Sequence, residues 1–214
     1  HRIGLDYMVD YGFVHDFVGT VANAGCRVFI VHARNAVLKG LSPKENREVP
    51  PLRYDVVRQL RTDFPALTFV LNGGITTAQQ CVDLLGESAG ASSALHGVML
   101  GRAAYHDCYS LAQAEHALFG TVMPSREEIV ERMIAYTERD IAATRGLAFH
   151  TRLRDVARHM LGLYAGQVGG KAWRRMLSDA RLLNENDPEL MRRAMPYQSD
   201  YDDHRQPLLD ALSG

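Results

Sequence analysis

Three short apolar runs punctuate the first half of the chain: residues 27–31 (RVFIV), 67–71 (LTFVL) and 97–100 (GVML). Each ends abruptly in polar residues or glycine, as a parallel strand buried on both faces does. Patterns with helical spacing lie around them, over 10–25, 53–63, 76–86 and 103–118. Strand and helix in alternation predict βα units around a parallel sheet, an α/β fold. The small, polar stretch 87–94 (ESAGASSA) predicts a loop before the last strand. After Gly120 the strand pattern stops. Ser125 with Glu128 three residues on predicts a capping box opening a helix over 125–144. Further helices are expected over 151–164, 170–183 and 187–194. The stretch 196–214, with Pro196, Pro207 and several aspartates, reads as a loose tail.

In parallel βα folds functional residues collect just past the C-terminal ends of the strands. After the first run come His32, Ala33 and Arg34; after the second, Asn72, Gly73, Gly74 and Ile75; after the third, Gly101 and Arg102. Glycines there let backbone amides approach a ligand where a Cβ would clash. Helices beginning at Thr76 and Ala103 would aim their N-termini at the same place, which favours an anion. Arg102 adds a guanidinium able to bind a phosphate through two nitrogens. The bland alternative is that the glycines only make tight turns. His32 has two readings as well, a satisfied structural histidine or a hydrogen-bonding partner of a ligand on this rim.

Composition changes the picture little, but the distribution of charge does. The chain has 214 residues, 24 Lys and Arg against 25 Asp and Glu, and a formal net charge of −1. With 46% hydrophobic residues, 18 glycines and 3 cysteines, those values exclude a disordered chain, a collagen and a disulfide-stapled miniprotein. No stretch approaches the roughly 18 apolar residues of a membrane span. Cys26, Cys81 and Cys108 are widely spaced and read as reduced thiols of a cytoplasmic protein, with no metal-ligand spacing. Residues 151–175 carry 6 basic and 1 acidic side chains. Such a patch suits a polyanion, or is a solvated helical face. It holds Arg154, Arg158 and His159, then Lys171, Trp173, Arg174 and Arg175 after three glycines. Trp173 reads either as a ring for RNA stacking or as core. The polar loop 39–51 (KGLSPKENREVPP) offers Lys39, Lys44 and Arg47, diluted by Glu45 and Glu48. No HExxH, CxxC, P-loop or GxGxxG occurs, and no cysteine is placed like an activated thiolate.

HRIG at 1–4, FIVHAR at 29–34, GLSPKENREVPPL at 40–52, LNGGI at 71–75, GVMLGRAAY at 97–105, RHMLGLYAG at 158–166 and WRR at 173–175 resemble the tRNA-dihydrouridine synthases. The SPKENR loop and the RHMLGL segment are similar to the A-type subfamily, over about residues 1–195. The resemblance implies a (β/α)8 TIM barrel holding FMN, followed by a helical domain that grips tRNA. HRIG would then end the fifth strand, and the three apolar runs would be the sixth to eighth. Residues 1–120 would be a partial FMN-binding barrel and 121–195 the tRNA-binding domain, before the tail at 196–214. His32, Asn72, Gly73, Gly74, Gly101 and Arg102 would hold the flavin or its phosphate. Lys44, Arg47, Lys171 and Arg174 would meet tRNA. The implied reaction reduces a tRNA uridine to 5,6-dihydrouridine, NADPH reducing the FMN, with no metal, no membrane and no obligate protein partner.

Two departures go with the resemblance. The family's catalytic cysteine follows the fourth strand, and its flavin-contacting lysine precedes HRIG; neither is in this sequence, which starts at His1 inside a motif. The expectation is a fragment, inactive alone. A tRNA-binding remnant without catalysis, or another FMN or sugar-phosphate barrel, stay open as alternatives. A half barrel would also leave strand edges unpaired at Val28–Val31 and Val98–Leu100, predicting poor solubility or dimerisation.

Overall fold

Alternation along the strands decides which way the sheet faces. The computed structural model describes residues 1–8, 10–86 and 90–196. Strands β1 (Val28–His32), β2 (Thr68–Asn72) and β3 (Gly97–Met99) form a parallel sheet in the order β1-β2-β3. His32 lies opposite Asn72, and Asn72 opposite Met99. Phe29, Val31, Phe69 and Leu71 are buried in one core with Val14, Val18, Val57, Leu60 and Cys81. These come from α1 (Tyr11–Asn23), α2 (Tyr54–Asp63) and α3 (Ala78–Gly86). The alternate residues Val28 and Ile30 are 56% and 45% exposed. The expectation of strands buried on both faces therefore holds for one face only. The helices cover a single side, as in one wall of a βα barrel whose inner face looks toward the lumen.

The expected unpaired edge at Val28–Val31 is partly filled. Arg2 bridges His32 and Leu5 bridges Ala36, both parallel. The His1 amino group donates to the Ile30 carbonyl at 2.9 Å, and the His32 N–H donates to the His1 carbonyl at 2.8 Å. The HRIG segment thus lies beside β1, joined to it by isolated parallel bridges. β3 pairs with β2 alone among the described residues.

Two of the expected helices are broken. The pattern over 103–118 becomes α4 (Arg102–His106) and α5 (Tyr109–Phe119). The break falls at Asp107, whose carbonyl accepts both the N–H and the hydroxyl of Ser110. A side chain offering the backbone such an alternative competes with helix continuation. The pattern over 170–183 becomes α8 (Gly170–Met176) and α9 (Ala180–Asn184). Asp179 caps α9 by accepting the Arg181 N–H at 2.8 Å. Glu87–Ala89 of the expected loop, and the expected tail from Tyr197 on, lie outside the described residues.

The chain divides into two compact units, His1–Met123 and Pro124 onward. The second is helical: α6 (Arg126–Thr144), α7 (Leu153–Met160), α8, α9 and α10 (Leu190–Ala194). The capping box is present, with Glu128 N–H donating to Ser125 Oγ and Ser125 N–H to the Glu128 carboxylate. Its core gathers Val130, Ile134, Leu153, Met160, Leu163, Trp173 and Met191. Trp173 is fully buried, and its indole N–H donates to the Met160 carbonyl at 2.9 Å. Tyr164 packs on it with ring centroids 4.9 Å apart. Gly170 is required there, because a Cβ would collide with the Tyr164 carbonyl oxygen. No helix among the described residues is long and apolar enough to cross a membrane.

Candidate functional site

The C-terminal ends of the strands form one row, Arg2, His32, Asn72 and Met99 across four neighbouring chains of backbone. Their positions are tied by main-chain bonds. Ala33 N–H donates to the Asn72 carbonyl, and Arg53 N–H to the Ala33 carbonyl, each at 2.8 Å. Gly73 and Gly74 take φ of 117° and 73°, the left-handed region that glycine enters freely. Tyr54 Oη donates to the Gly73 carbonyl at 2.7 Å. A Cβ on Gly74 would stand 2.5 Å from Leu52, and one on Gly73 3.4 Å from the His32 ring. The turn is therefore shaped by the two glycines, and the His32 ring borders it.

Three guanidiniums converge on this rim, and all three hold the loop at 39–51. Arg2 donates to the carbonyls of Asn35 and Asn46 at 2.9 and 2.8 Å. Arg34 donates to the Pro50 carbonyl, and Arg102 pairs with Glu48. Within the loop, Asn46 clasps the Val37 backbone, accepting its N–H and donating to its carbonyl. Two buried nitrogens of the rim have no hydrogen-bond partner, His32 Nδ1 and Arg34 Nε. Burial, then the charges of Arg2, Arg34 and Arg102, push the His32 imidazole down to about 4. It is neutral at pH 7. Burial also lowers Arg2 and Arg34 from the ordinary guanidinium value, and other arginines add to this: Arg47 and Arg34 for Arg2, Arg102 for Arg34. The rim concentrates positive charge that one carboxylate, Glu48, answers. An orphaned guanidinium N–H and an orphaned imidazole nitrogen beside a glycine turn fit the phosphate of a bound cofactor.

The expected residues fall in four groups. His32, Asn72, Gly73 and Gly74 are brought together at the ends of β1 and β2. Gly101 caps α4, and Arg102 opens it. One expectation is corrected: helix α3 begins at Ala78, not Thr76, and the Thr76 and Thr77 N–H groups are taken by the Gln80 side-chain oxygen at 2.8 and 3.2 Å. Those two amides are satisfied within the protein. Lys44 and Arg47 are exposed and three residues apart around a 3₁₀ turn (Glu45–Arg47), which sets them on one side. Lys171 and Arg174 are exposed on α8, three residues apart. The stacking reading of Trp173 is overturned by its burial. Arg2 and Glu48 are the rim residues the sequence did not single out for the site. Arg2 could have been found from its place in HRIG, at a strand end like His32.

None of the three thiols lies at the rim. Cys26 precedes β1 at its opposite end, Cys81 is buried in α3 with its thiol pushed up by burial, and Cys108 leads into α5. Among the described residues, no group of three or more His, Cys, Asp or Glu could hold a metal ion.

The family model for dihydrouridine synthase matches residues 1–198. A tRNA-dihydrouridine(20/20a) synthase of Pseudomonas syringae pv. tomato is 51% identical over 180 residues, 83% of this chain and 50% of the relative. That of Synechocystis sp. is 46% identical over 200 residues, 92% of this chain and 56% of the relative. That of Shewanella oneidensis is 44% identical over 200 residues, 92% and 55% respectively. The chain thus spans about half the length of the curated relatives it matches. Among solved structures, a mandelate oxidase crystal structure is similar at a TM-score of 0.33 and 18% identity, over 89% of this chain and 58% of that one. A likeness that low decides nothing about this chain.

Proposed function

The chain belongs to the dihydrouridine synthase family, and from that premise we propose that it is the C-terminal part of a tRNA-dihydrouridine(20/20a) synthase. In this reading the first unit is the end of strand five through strand eight of a TIM barrel, and the second is a tRNA-binding domain. FMN, when bound, would supply the two-electron reduction of the uridine C5–C6 bond, with NADPH as its reductant. Residues Gly73, Gly74 and Gly101 would present backbone N–H groups to the phosphate, and Arg34 and Arg102 would balance its charge. The neutral His32 ring would donate or accept one hydrogen bond without adding a further charge. Arg102 would exchange Glu48 for the phosphate. Lys44, Arg47, Lys171 and Arg174 would contact the tRNA backbone, in the cytoplasm where tRNA is modified.

The single observation that carries the cofactor reading is the pair of orphaned buried nitrogens, His32 Nδ1 and Arg34 Nε, beside the glycine turn. Flavin fluorescence titration tests it. FMN is expected to bind far more tightly than riboflavin, which has the same rings and no phosphate. Equal affinities would overturn the phosphate assignment.

A further inference from the structure

We infer that the cavity at the start of α7 is a phosphate subsite for an RNA backbone. It measures about 200 Å³ and is lined by His150, Arg152, Arg154, Leu183, Asn184 and Asn186. The inference deepens the tRNA reading of the second unit and rests on it.

The walls come from two segments, the approach to α7 and the connector after α9. Asn186 locks them together. Its backbone takes the left-handed region, with φ of 55°, and its Oδ1 accepts the Leu153 N–H at 2.7 Å. That bond satisfies an amide of the first turn of α7 that Arg152, at the capping position, has no oxygen to reach. The cavity is therefore fixed by the folded backbone.

Its chemistry has one sign. Two guanidiniums, an imidazole, two carboxamides and a leucine line it, and no carboxylate does. Arg152 Nε donates to His150 Nε2 at 3.1 Å, which orients that guanidinium and leaves its two terminal nitrogens for a ligand. Arg154 has no hydrogen bond or ion pair with any described residue. Of the acids nearest in sequence, Glu185 is exposed between Asn184 and Asn186 without lining the cavity, and two others are engaged. Asp155 accepts the Arg152 N–H, and Asp187 pairs with Arg193. Other arginines of the unit do find carboxylates: Arg192 with Glu131 and Glu189, Arg181 with Asp179. Forked guanidiniums with neutral amide donors and no carboxylate in the lining match a phosphodiester.

The site continues along α7. Arg154 and Arg158 are four residues apart on its exposed side. The indole of Trp173 bonds the Met160 carbonyl, so α8, with Lys171 and Arg174, is seated at the far end of α7. Eight residues of helix span about 12 Å. One RNA strand can reach both ends.

The test is fluorescence anisotropy of an unmodified tRNA transcript on the whole chain, at several salt concentrations. Arg154→Ala should weaken binding about tenfold and lower the salt slope by about one. Asn184→Leu fills the cavity without changing charge; it should weaken binding several-fold with the slope unchanged. Asn184 is exposed at the end of α9, so circular dichroism should show both variants folded. A loss with Arg154→Ala but none with Asn184→Leu would mean diffuse charge and would overturn the subsite. So would wild-type affinity in both variants while Arg174→Ala still weakens binding, which leaves the tRNA reading standing. A wild-type chain that does not bind the transcript would remove both.

Discussion

The two units hold their cations differently. In the first, Arg2 and Arg34 are partly buried near strand ends and bonded to carbonyls, and the exposed Arg102 is paired with Glu48. In the second, Arg154, Arg158, Lys171, Arg174 and Arg175 stand exposed along two short helices. Fixed, partly desolvated guanidiniums suit one compact anion bound in one place, because desolvation strengthens each contact and immobility has already been achieved. Exposed cations spaced along a surface suit a polyanion gripped at many points, each weak and screened by salt. On the proposed reading, the contrast fits each unit to a different class of anion.

The contrast breaks most severely at Trp173. Trp173→Ala should cost about 3–5 kcal/mol in the second unit and abolish tRNA binding while FMN still binds the first. Thermal unfolding followed by circular dichroism, with flavin fluorescence beside it, reads both; loss of FMN as well would show that the division is false. At the rim, Arg34→Ala should weaken FMN by about 2 kcal/mol, roughly thirtyfold, and leave the salt dependence of tRNA binding unchanged. A change in that slope would put Arg34 on the RNA side.

Two smaller effects sharpen the contrast. The folded His32 ring takes its proton less readily than the unfolded ring, about 4 against 6.5. The unfolded chain binds more protons in that window, so the contribution of His32 is full above pH 6.5 and is lost as pH falls through about 4. After discounting for its partial exposure, about 1 kcal/mol is expected. Urea titrations between pH 4 and 7 should show His32→Gln less sensitive than the wild type; equal slopes would remove His32 from the charged rim. Glu48→Gln should tighten FMN only about threefold, because it removes the carboxylate that competes for Arg102. Weaker FMN binding in that variant would make Glu48 a positioning group for Arg102.

The first unit was more legible than the second, for a physical reason. A buried strand announces itself by a run of apolar residues, and β1 and β2 fall within one residue of their expected bounds. The glycine turn at 73–74 could be read directly, since no other residue suits it. Arg34 and Arg102 could be read onto one rim as well, each just past a strand end. Arg2 was missed, and its bridge to His32 brings it there. In the second unit Trp173 lies among arginines, and local pattern gives no sign that Tyr164 and the Met160 carbonyl enclose it. The breaks at Asp107 and Asp179 had weak local signals, an acidic residue followed closely by a serine or an arginine.

The loop at 39–51 has one further property. Its main chain joins no sheet, and the strand ends hold it by side chains: Arg2 on Asn46, Arg102 on Glu48 and Arg34 on Pro50. A backbone ladder opens cooperatively, whereas exposed side-chain contacts rearrange one at a time on nanosecond timescales. An incoming anion can draw Arg102 away while Arg2 and Arg34 keep their grip. The segment around Glu48 is thereby free to adjust while its neighbours stay anchored, and hydrogen exchange at the amides of 47–49 would register the release of that one tether.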